Sequence, residues 1–84
     1  MSTSIRYCIA ITDPKSSHCG YINGANGISG GIVIIETLEE ARKCSGGYQV
    51  VKLNKAICQA YRKRLYRDVS GNMLMPIKDL EIVE

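Results

Sequence analysis

Residues 52–67 concentrate positive charge and could bind an anionic partner. The stretch holds six Lys or Arg side chains and no Asp or Glu. The residues before it sum to zero and residues 68–84 sum to −3, so the net charge of +3 comes from this block. Such a block favours a polyanionic or acidic partner over small-molecule chemistry. The predicted partner-binding residues are Lys52, Lys55, Tyr61, Arg62, Lys63, Arg64, Tyr66 and Arg67.

Two features of this block favour a binding surface over a merely solvated helix face. It has no acidic side chain at i,i+4 spacing, so its charge is not neutralised within a helix. Tyr61 and Tyr66 lie among the basic residues, where they supply stacking and hydrogen-bonding surface beside phosphate-binding charge. The sequence pI of 8.7 is modest for a dedicated nucleic-acid-binding domain. Direct nucleic-acid binding by residues 52–67 is therefore the alternative hypothesis.

The glycine-rich segment, residues 20–31, is a candidate for phosphate binding. A dinucleotide-binding loop needs G-x-G-x-x-G between a strand and a helix, and a P-loop ends in Gly-Lys-Ser/Thr. Here the glycines lead into a predicted strand, and the segment contains no lysine. The order of elements favours a hairpin loop, and nucleotide binding at this loop is the third functional hypothesis.

Cysteine and histidine spacing offers little catalytic or metal chemistry. The four cysteines form no C-x-x-C pair, so we expect free thiols that pack as small hydrophobic groups. Asp13, His18 and Cys19 include an orienting group, a base and a nucleophile, but a polar loop holds catalytic geometry poorly. We predict no catalytic residue, no metal site and no cofactor.

The strands are predicted from period-two alternation and β-branched runs. Residues 4–12 alternate cleanly, and residues 21–22 can pair briefly as a strand. Residues 32–36 are a β-branched run, which predicts a buried strand. Residues 48–53 and 79–83 complete the predicted sheet.

The helices are predicted from caps and from apolar spacing. Thr37 and Glu40 fit a capping box for a helix over 38–45, with Gly46 or Gly47 as its left-handed exit. Asn54 is the predicted N-cap of a second helix over 55–67. Its predicted apolar stripe is Ile57, Ala60, Tyr61 and Leu65. The alternative for residues 64–77 is a hairpin that turns at Ser70 and Gly71.

These elements predict a single small α+β domain over residues 1–84. It would have an antiparallel sheet of three or four strands with one or two helices packed on one face. Strand 32–36 could contribute either Val33 and Ile35 or Ile32 and Ile34 to the core. The other predicted core residues are Ile5, Tyr7, Ile9, Ile11, Val51 and Leu53 from the sheet, and Leu38, Ala41, Ile57 and Tyr61 from the helices.

Composition and hydropathy indicate in which compartment the protein is expected. The chain is 45% hydrophobic and 23% charged, which is ordinary for a soluble globular protein. Its longest apolar runs fall far short of the roughly 20 residues that span a bilayer. Residues 1–12 have no long apolar segment behind a basic start, as a secretory signal would. We expect a cytoplasmic protein without a membrane partner.

The order of segments resembles a class of small phage and prophage accessory proteins. A Gly/Asn-rich hairpin at residues 20–31 precedes the E-T-L-E-E-A helix start at residues 36–41 and the G-Y-Q-V-V-K-L strand at residues 47–53. The pattern is similar to that of anti-CRISPR and other anti-defence proteins. The resemblance implies a short, cytosolic, non-catalytic protein that occupies a host complex, and it transfers no functional residue.

Together these observations predict a phage-type inhibitor or adaptor that binds a host protein or nucleoprotein complex. If it is phage-encoded, it would act in the host cytoplasm. A chain this short often gains core by pairing. We therefore also predict a homodimer that uses residues 73–77, which have no evident role within one chain, or an exposed strand edge.

Overall fold

The structure, a computed structural model, describes residues 5–26 and 31–83. Its elements follow one another as β1 (Tyr7–Ala10), α1 (Leu38–Cys44), β2 (Gln49–Lys52), α2 (Lys55–Lys63), a 3-10 turn (Ile77–Asp79) and β3 (Glu81–Ile82). The first residue of predicted strand 4–12 and residues 27–30 of the glycine-rich segment lie outside the described residues.

The strands form one antiparallel sheet in the order β1-β2-β3. Cys8 lies opposite Val51 and Ile9 lies opposite Val50, while β3 extends the other side of β2 by two pairs. The α+β class, the small antiparallel sheet and the two helices are confirmed.

The N-caps predicted for both helices are also confirmed, although among the described residues Glu40 does not return the bond that would complete the capping box. Thr37 Oγ1 accepts a hydrogen bond from the backbone N–H of Glu40 at 3.2 Å. Asn54 Oδ1 accepts one from the backbone N–H of Ile57 at 2.9 Å. Each bond satisfies one of the backbone donors that a helix N-terminus leaves unpaired. The Asn54 amide also donates to the Asp79 carbonyl, which ties the start of α2 to the end of the chain.

Both faces of the sheet are covered, whereas we expected helices on one face. Consecutive residues are buried in β1 and again in β2, and consecutive side chains on a strand point to opposite faces. One cluster joins Cys8 and Val51 to α2 and also contains Ala10, Ile22, Ala25, Ile57, Ala60, Met73, Met75 and Leu80. The other joins strand residues to α1 and contains Ile9, Ile35, Ala41 and Val50.

The predicted apolar face of the sheet is therefore divided. Tyr7 and Ile9 face α1, whereas Val51 and Leu53 pack on the α2 side. Ile5, at the end of the predicted face, is 53% exposed. Alternation in β1 identified one face correctly, but Cys8 and Ala10, which were not among the predicted core residues, are buried as well.

Residues 32–36 run along the edge of β1, and the prediction of a buried strand there is wrong. Pairing with β1 is limited to a bridge between Ile35 and Tyr7. Further along, Ile22 takes the position beside Ala10, and the Val33 N–H donates to the Asn23 carbonyl. The ladder with β1 therefore stops after one pair. We call residues 32–36 the edge segment.

α2 ends at Lys63, so the prediction of a helix to residue 67 is wrong. The alternative, a hairpin, is present over residues 66–74. The Asp68 carboxylate accepts hydrogen bonds from the backbone N–H groups of Ser70 and Asn72, which favours a turn over a helix. Arg67 and Met73 form the bridge of this hairpin.

Residues 73–77 have a clear role within the chain, contrary to our expectation. Met73 and Met75 are almost fully buried in the α2-side cluster. Gly20 and Met75 pair through their backbones, and a Cβ on Gly20 would overlap the Met75 carbonyl oxygen. Burial of both methionines removes the argument for a dimer through this segment. A dimer through an exposed strand edge stays a prediction.

Candidate arginine-lined groove

The end of α2 and the hairpin that follows it place three arginines around one groove of about 610 Å³. Arg62 lies in the last turn of α2, Arg64 is its C-cap, and Arg67 begins the hairpin. The chain reverses between Arg64 and Arg67, because Arg64 and Tyr66 both adopt left-handed backbone angles, with φ of 56° and 60°. We call this concavity the arginine groove.

The opposite wall and floor of the arginine groove are largely apolar. The edge segment contributes Ile32 and Ile34, and the wall is completed by Asn26, Leu53, Cys58 and Tyr61. Gly24 makes this arrangement possible. It has φ of 88°, and a Cβ there would overlap the Gly31 carbonyl oxygen and lie 2.9 Å from the Val33 nitrogen. Only glycine lets the edge segment approach this closely.

Arg67 is held in place by contacts within the chain. Its guanidinium carbon lies 5.4 Å from the centre of the Tyr61 ring, a cation–π geometry. Nη1 donates to the Gly71 carbonyl at 2.6 Å, and Nε is buried without a hydrogen-bond partner among residues 5–26 and 31–83. A buried donor without a partner costs free energy.

Within residues 5–26 and 31–83, the positive charge of the groove has no acidic partner. No acidic side chain of these residues lines the groove, and the ion pair found among them joins Glu39 to Lys43 on α1. Asp68 is the nearest acidic residue in sequence, and its carboxylate is engaged by backbone N–H groups of its own turn. Hydrogen bonding, above all from the Asn72 N–H, lowers the pKa of Asp68, so this carboxylate stays ionised within the turn.

Four of the eight predicted partner-binding residues line the arginine groove: Tyr61, Arg62, Arg64 and Arg67. The other four, Lys52, Lys55, Lys63 and Tyr66, are exposed but do not line it. Lys52 lies on β2 one residue after Val51, so it faces away from the α2 side, and its cross-strand partner is Glu81. The basic block is split among a strand, a helix and a turn, which point its charges in different directions.

Sequence reasoning missed the apolar residues of the groove. Ile32 and Ile34 come from a run that is apolar at every position, and such a run does not say which side chains face which side. The residue that faces the α1-side core is Ile35. The sequence showed that residues 32–35 are all apolar. Which of these side chains face the core and which face the groove was decided by the pairing of this segment along the edge of β1.

The Asp13, His18 and Cys19 trio has no catalytic arrangement in the structure. Asp13 and His18 line a separate concavity, but Cys19 is not among its lining residues. His18 Nδ1 lies 3.2 Å from Ser17 Oγ, and Asp13 accepts a hydrogen bond from the Lys15 N–H. Within residues 5–26 and 31–83, no cluster of three His, Cys, Asp or Glu side chains could hold a metal ion.

All four cysteines are free, as expected, but the expectation that they pack as small hydrophobic groups holds for Cys8, whereas Cys19 and Cys58 are half-buried and Cys44 is exposed. Burial, with a smaller contribution from Cys58, raises the pKa of the Cys8 thiol to about 11. Nucleotide binding by residues 20–31 stays a prediction, since residues 27–30 lie outside the described residues. Gly20 and Gly24 use their positive φ to let other backbone segments approach.

Comparisons with protein-family models, with curated proteins and with solved structures found no match to this chain. Neither helix in the described part of the chain has the length and apolarity to cross a bilayer.

Proposed function

We propose that this chain is a non-catalytic binding protein whose arginine groove accepts an acidic segment of another protein. The observation that carries this proposal is the convergence of Arg62, Arg64 and Arg67, free of ion pairs in the described part of the chain, over an apolar wall. Arginine pairs with carboxylates through two parallel hydrogen bonds, and the aliphatic wall suits neighbouring apolar side chains.

An acidic protein segment fits this groove better than a nucleic acid does. Platforms for single-stranded nucleic acid offer open aromatic faces on which bases stack. The aromatic side chain in the groove, Tyr61, already has the Arg67 guanidinium over its ring. Among the described residues, the rest of the wall is largely aliphatic, from Ile32, Ile34 and Leu53, and supplies no aromatic stacking surface.

Direct nucleic-acid binding remains the second candidate because of Tyr66. This side chain is 47% exposed, lies outside the groove, and stands between Arg64 and Arg67 in sequence. A strand that crossed the outer surface of this turn would meet phosphate-binding charge beside an open ring. Binding of this kind would use the outer surface, including Lys63, rather than the groove.

The biological role that we propose is inhibition or adaptation of a host protein or nucleoprotein complex by occupation of its acidic surface. Support comes from the small size of the chain, from the charge of the groove and from the pattern that resembles phage accessory and anti-CRISPR proteins. A cytoplasmic site of action follows from this role and belongs to the same proposal.

Two charge-matched double variants test whether the groove binds. Arg62→Glu with Arg64→Glu reverses groove charges, and Lys55→Glu with Lys63→Glu makes the same charge change on exposed sites outside it. The probe is a fluorescein-labelled peptide of alternating Glu and Val, followed by anisotropy at 0.15 M salt. We expect the groove variant to bind about a hundredfold more weakly, because two charge-assisted contacts are lost. The control should stay within about threefold because salt screens distant charges.

Equal losses in the two double variants would contradict the groove as the site. A labelled oligothymidylate in parallel distinguishes the second candidate. Binding that is tighter for the oligonucleotide, falls steeply with salt and weakens on Lys63→Glu or Tyr66→Ala would favour nucleic acid on the outer surface. Circular dichroism and urea denaturation of each variant confirm that the fold is kept.

A further inference from the structure

We infer that the partner of the arginine groove binds as an added β-strand along the edge segment, so that the ligand is an extended acidic peptide segment. This inference rests on the proposed function and specifies its geometry. Four observations carry it: unpaired backbone groups on the edge segment, exposed apolar side chains there, adjacency to the three arginines, and the acidity of the opposite sheet edge.

The backbone of the edge segment has one side paired and one side open. Tyr7 and Ile35 exchange two hydrogen bonds of 2.8 Å, and Val33 donates to Asn23. In an antiparallel ladder the residues between such pairs direct their N–H and C=O groups away from the partner strand. Ile34 is in that position, and within residues 5–26 and 31–83 its backbone makes no hydrogen bond. A second strand can pair there.

The side chains of the edge segment are those of a sheet interior rather than of a protected edge. Val33 and Ile34 are each 45% exposed. Natural edge strands are usually protected by Lys, Pro, a bulge or a covering element, because an open apolar edge pairs with other chains. The apolar edge of this chain is the arrangement used by domains that bind peptides by adding a strand.

Charge determines the chemistry of the added strand. Ile34 lines the arginine groove, so alternate side chains of a strand paired with it would enter the groove beside Arg62 and Arg64. The acidic residue of the edge segment, Glu36, lies at its end, is exposed and does not line the arginine groove. Acidic ligand residues beside Ile34 would therefore meet the groove arginines.

The other edge of the sheet does not offer the same site. β3 pairs over only two residues, and one of them is Glu81. An acidic strand added there would meet negative charge. The two edges therefore differ in charge, and the edge segment is the one suited to an acidic ligand.

A backbone-blocked peptide separates strand addition from simple charge attraction. The probe is the same peptide of alternating Glu and Val, compared with a version N-methylated at every second residue, in both registers. Methylation keeps the carboxylates but removes hydrogen-bond donors along one edge. We expect about a tenfold or greater loss of affinity in one register, because backbone hydrogen bonds are lost.

Variants of Ile34 test the backbone hydrogen bonds between the edge segment and the ligand by changing the protein instead of the peptide. Ile34→Pro removes the N–H that would donate to the ligand, at an edge position where proline is tolerated. Ile34→Ala removes the side chain but keeps the N–H, so it is the matched control. We expect the proline variant to bind at least about tenfold more weakly than the alanine variant, with all three arginines present.

Amide hydrogen exchange followed by NMR observes the pairing directly. The Ile34 amide should exchange rapidly in the free protein and slow down when the unmethylated peptide is added, whereas Ile35, which already donates to Tyr7, should change little. Protection of Ile34 by rising protein concentration alone would overturn the inference in favour of a second copy. Unchanged binding of both methylated peptides would overturn strand addition while leaving the proposed groove intact. Failure of the proposed function would appear instead as peptide affinity that Arg62→Glu with Arg64→Glu leaves unchanged.

Discussion

Arg64 adopts a backbone conformation that usually belongs to glycine. Its φ is 56°, and its N–H closes the end of α2 on the Ala60 and Tyr61 carbonyls. A side chain in this left-handed region costs roughly 1–2 kcal/mol relative to glycine. The same residue supplies one of the three groove charges. Strain at a residue that the proposed function uses is a pattern common at binding sites.

Comparison of two Arg64 variants tests this strain. Both Arg64→Gly and Arg64→Ala remove the groove charge, but only glycine removes the steric cost. We expect Arg64→Gly to be more stable than Arg64→Ala by about 1 kcal/mol in urea denaturation, while both bind the acidic peptide equally weakly. Equal stabilities of the two variants would show that the conformation is not strained.

Cys8 makes the stability of the protein depend on pH in the alkaline range. Its folded-state pKa is about 11, above the ordinary value of 9.0, because burial disfavours the thiolate. The unfolded state therefore loses its proton first as pH rises. The contribution to stability is complete below about pH 9 and is lost as pH rises from there to about 11.

We expect wild-type protein to lose about 2–3 kcal/mol more stability than Cys8→Ala between pH 8 and 11. All other ionisable groups are the same in the two proteins, so the difference between the two urea-denaturation curves is the measurement. Parallel curves for wild type and Cys8→Ala would show that the Cys8 thiol does not have the raised pKa.

The edge segment depends on a close backbone approach at Gly24. A methyl group there would overlap the Gly31 carbonyl oxygen, and the positive φ adds further strain. We expect Gly24→Ala to lower the free energy of unfolding by about 2–4 kcal/mol and to weaken peptide binding, since the edge segment must shift.

Gly46→Ala is the matched control for Gly24→Ala. Gly46 also has positive φ, at 57°, but a Cβ there meets open space. Its substitution should cost about 1 kcal/mol and leave peptide binding unchanged. Similar losses of stability in the two variants would contradict the role of the close approach, since conformational strain alone would then account for both.

The whole molecule has two thin apolar layers, one on each face of a short sheet. Residues far apart in sequence share the α2-side layer, where Met73 and Met75 pack with Cys8, Val51 and Ile57. A chain of 84 residues has little apolar surface to spare, so a cavity in either layer is expected to be costly.

Met73→Ala tests whether residues 73–77 serve the core or an intermolecular contact. We expect it to lower the free energy of unfolding by about 2–5 kcal/mol. Val69→Ala, at a fully exposed position of the same hairpin, should change it by less than about 0.5 kcal/mol. Denaturation midpoints at two protein concentrations should coincide. If the denaturation midpoint of the wild type rises with protein concentration and that of Met73→Ala does not, residues 73–77 would be a dimer interface after all.

Local signals in the sequence determined the elements whose bonds are local. Thr37 and Asn54 accept hydrogen bonds from N–H groups three residues ahead, so the starts of α1 and α2 were predictable. β2 and β3 also form where their β-branched content indicated. The end of α2 was not predicted, because the turn at Asp68 competes with continuation of the helix. Burial of Met73 in the α2-side cluster favours the turn, and that burial is not visible in the local sequence.

Only the tertiary structure decided which faces are buried and where the groove lies. The groove joins Ile32 and Ile34 to Arg62, Arg64 and Arg67, residues about thirty positions apart in sequence. Their meeting depends on the pairing of Tyr7 with Ile35 and on a left-handed turn at Arg64. The basic composition of the site was present in the sequence, since charge is a property of each residue. The direction in which these charges point and the apolar wall opposite them could not be predicted from the sequence. Both arise from long-range pairing and packing that no local pattern encodes.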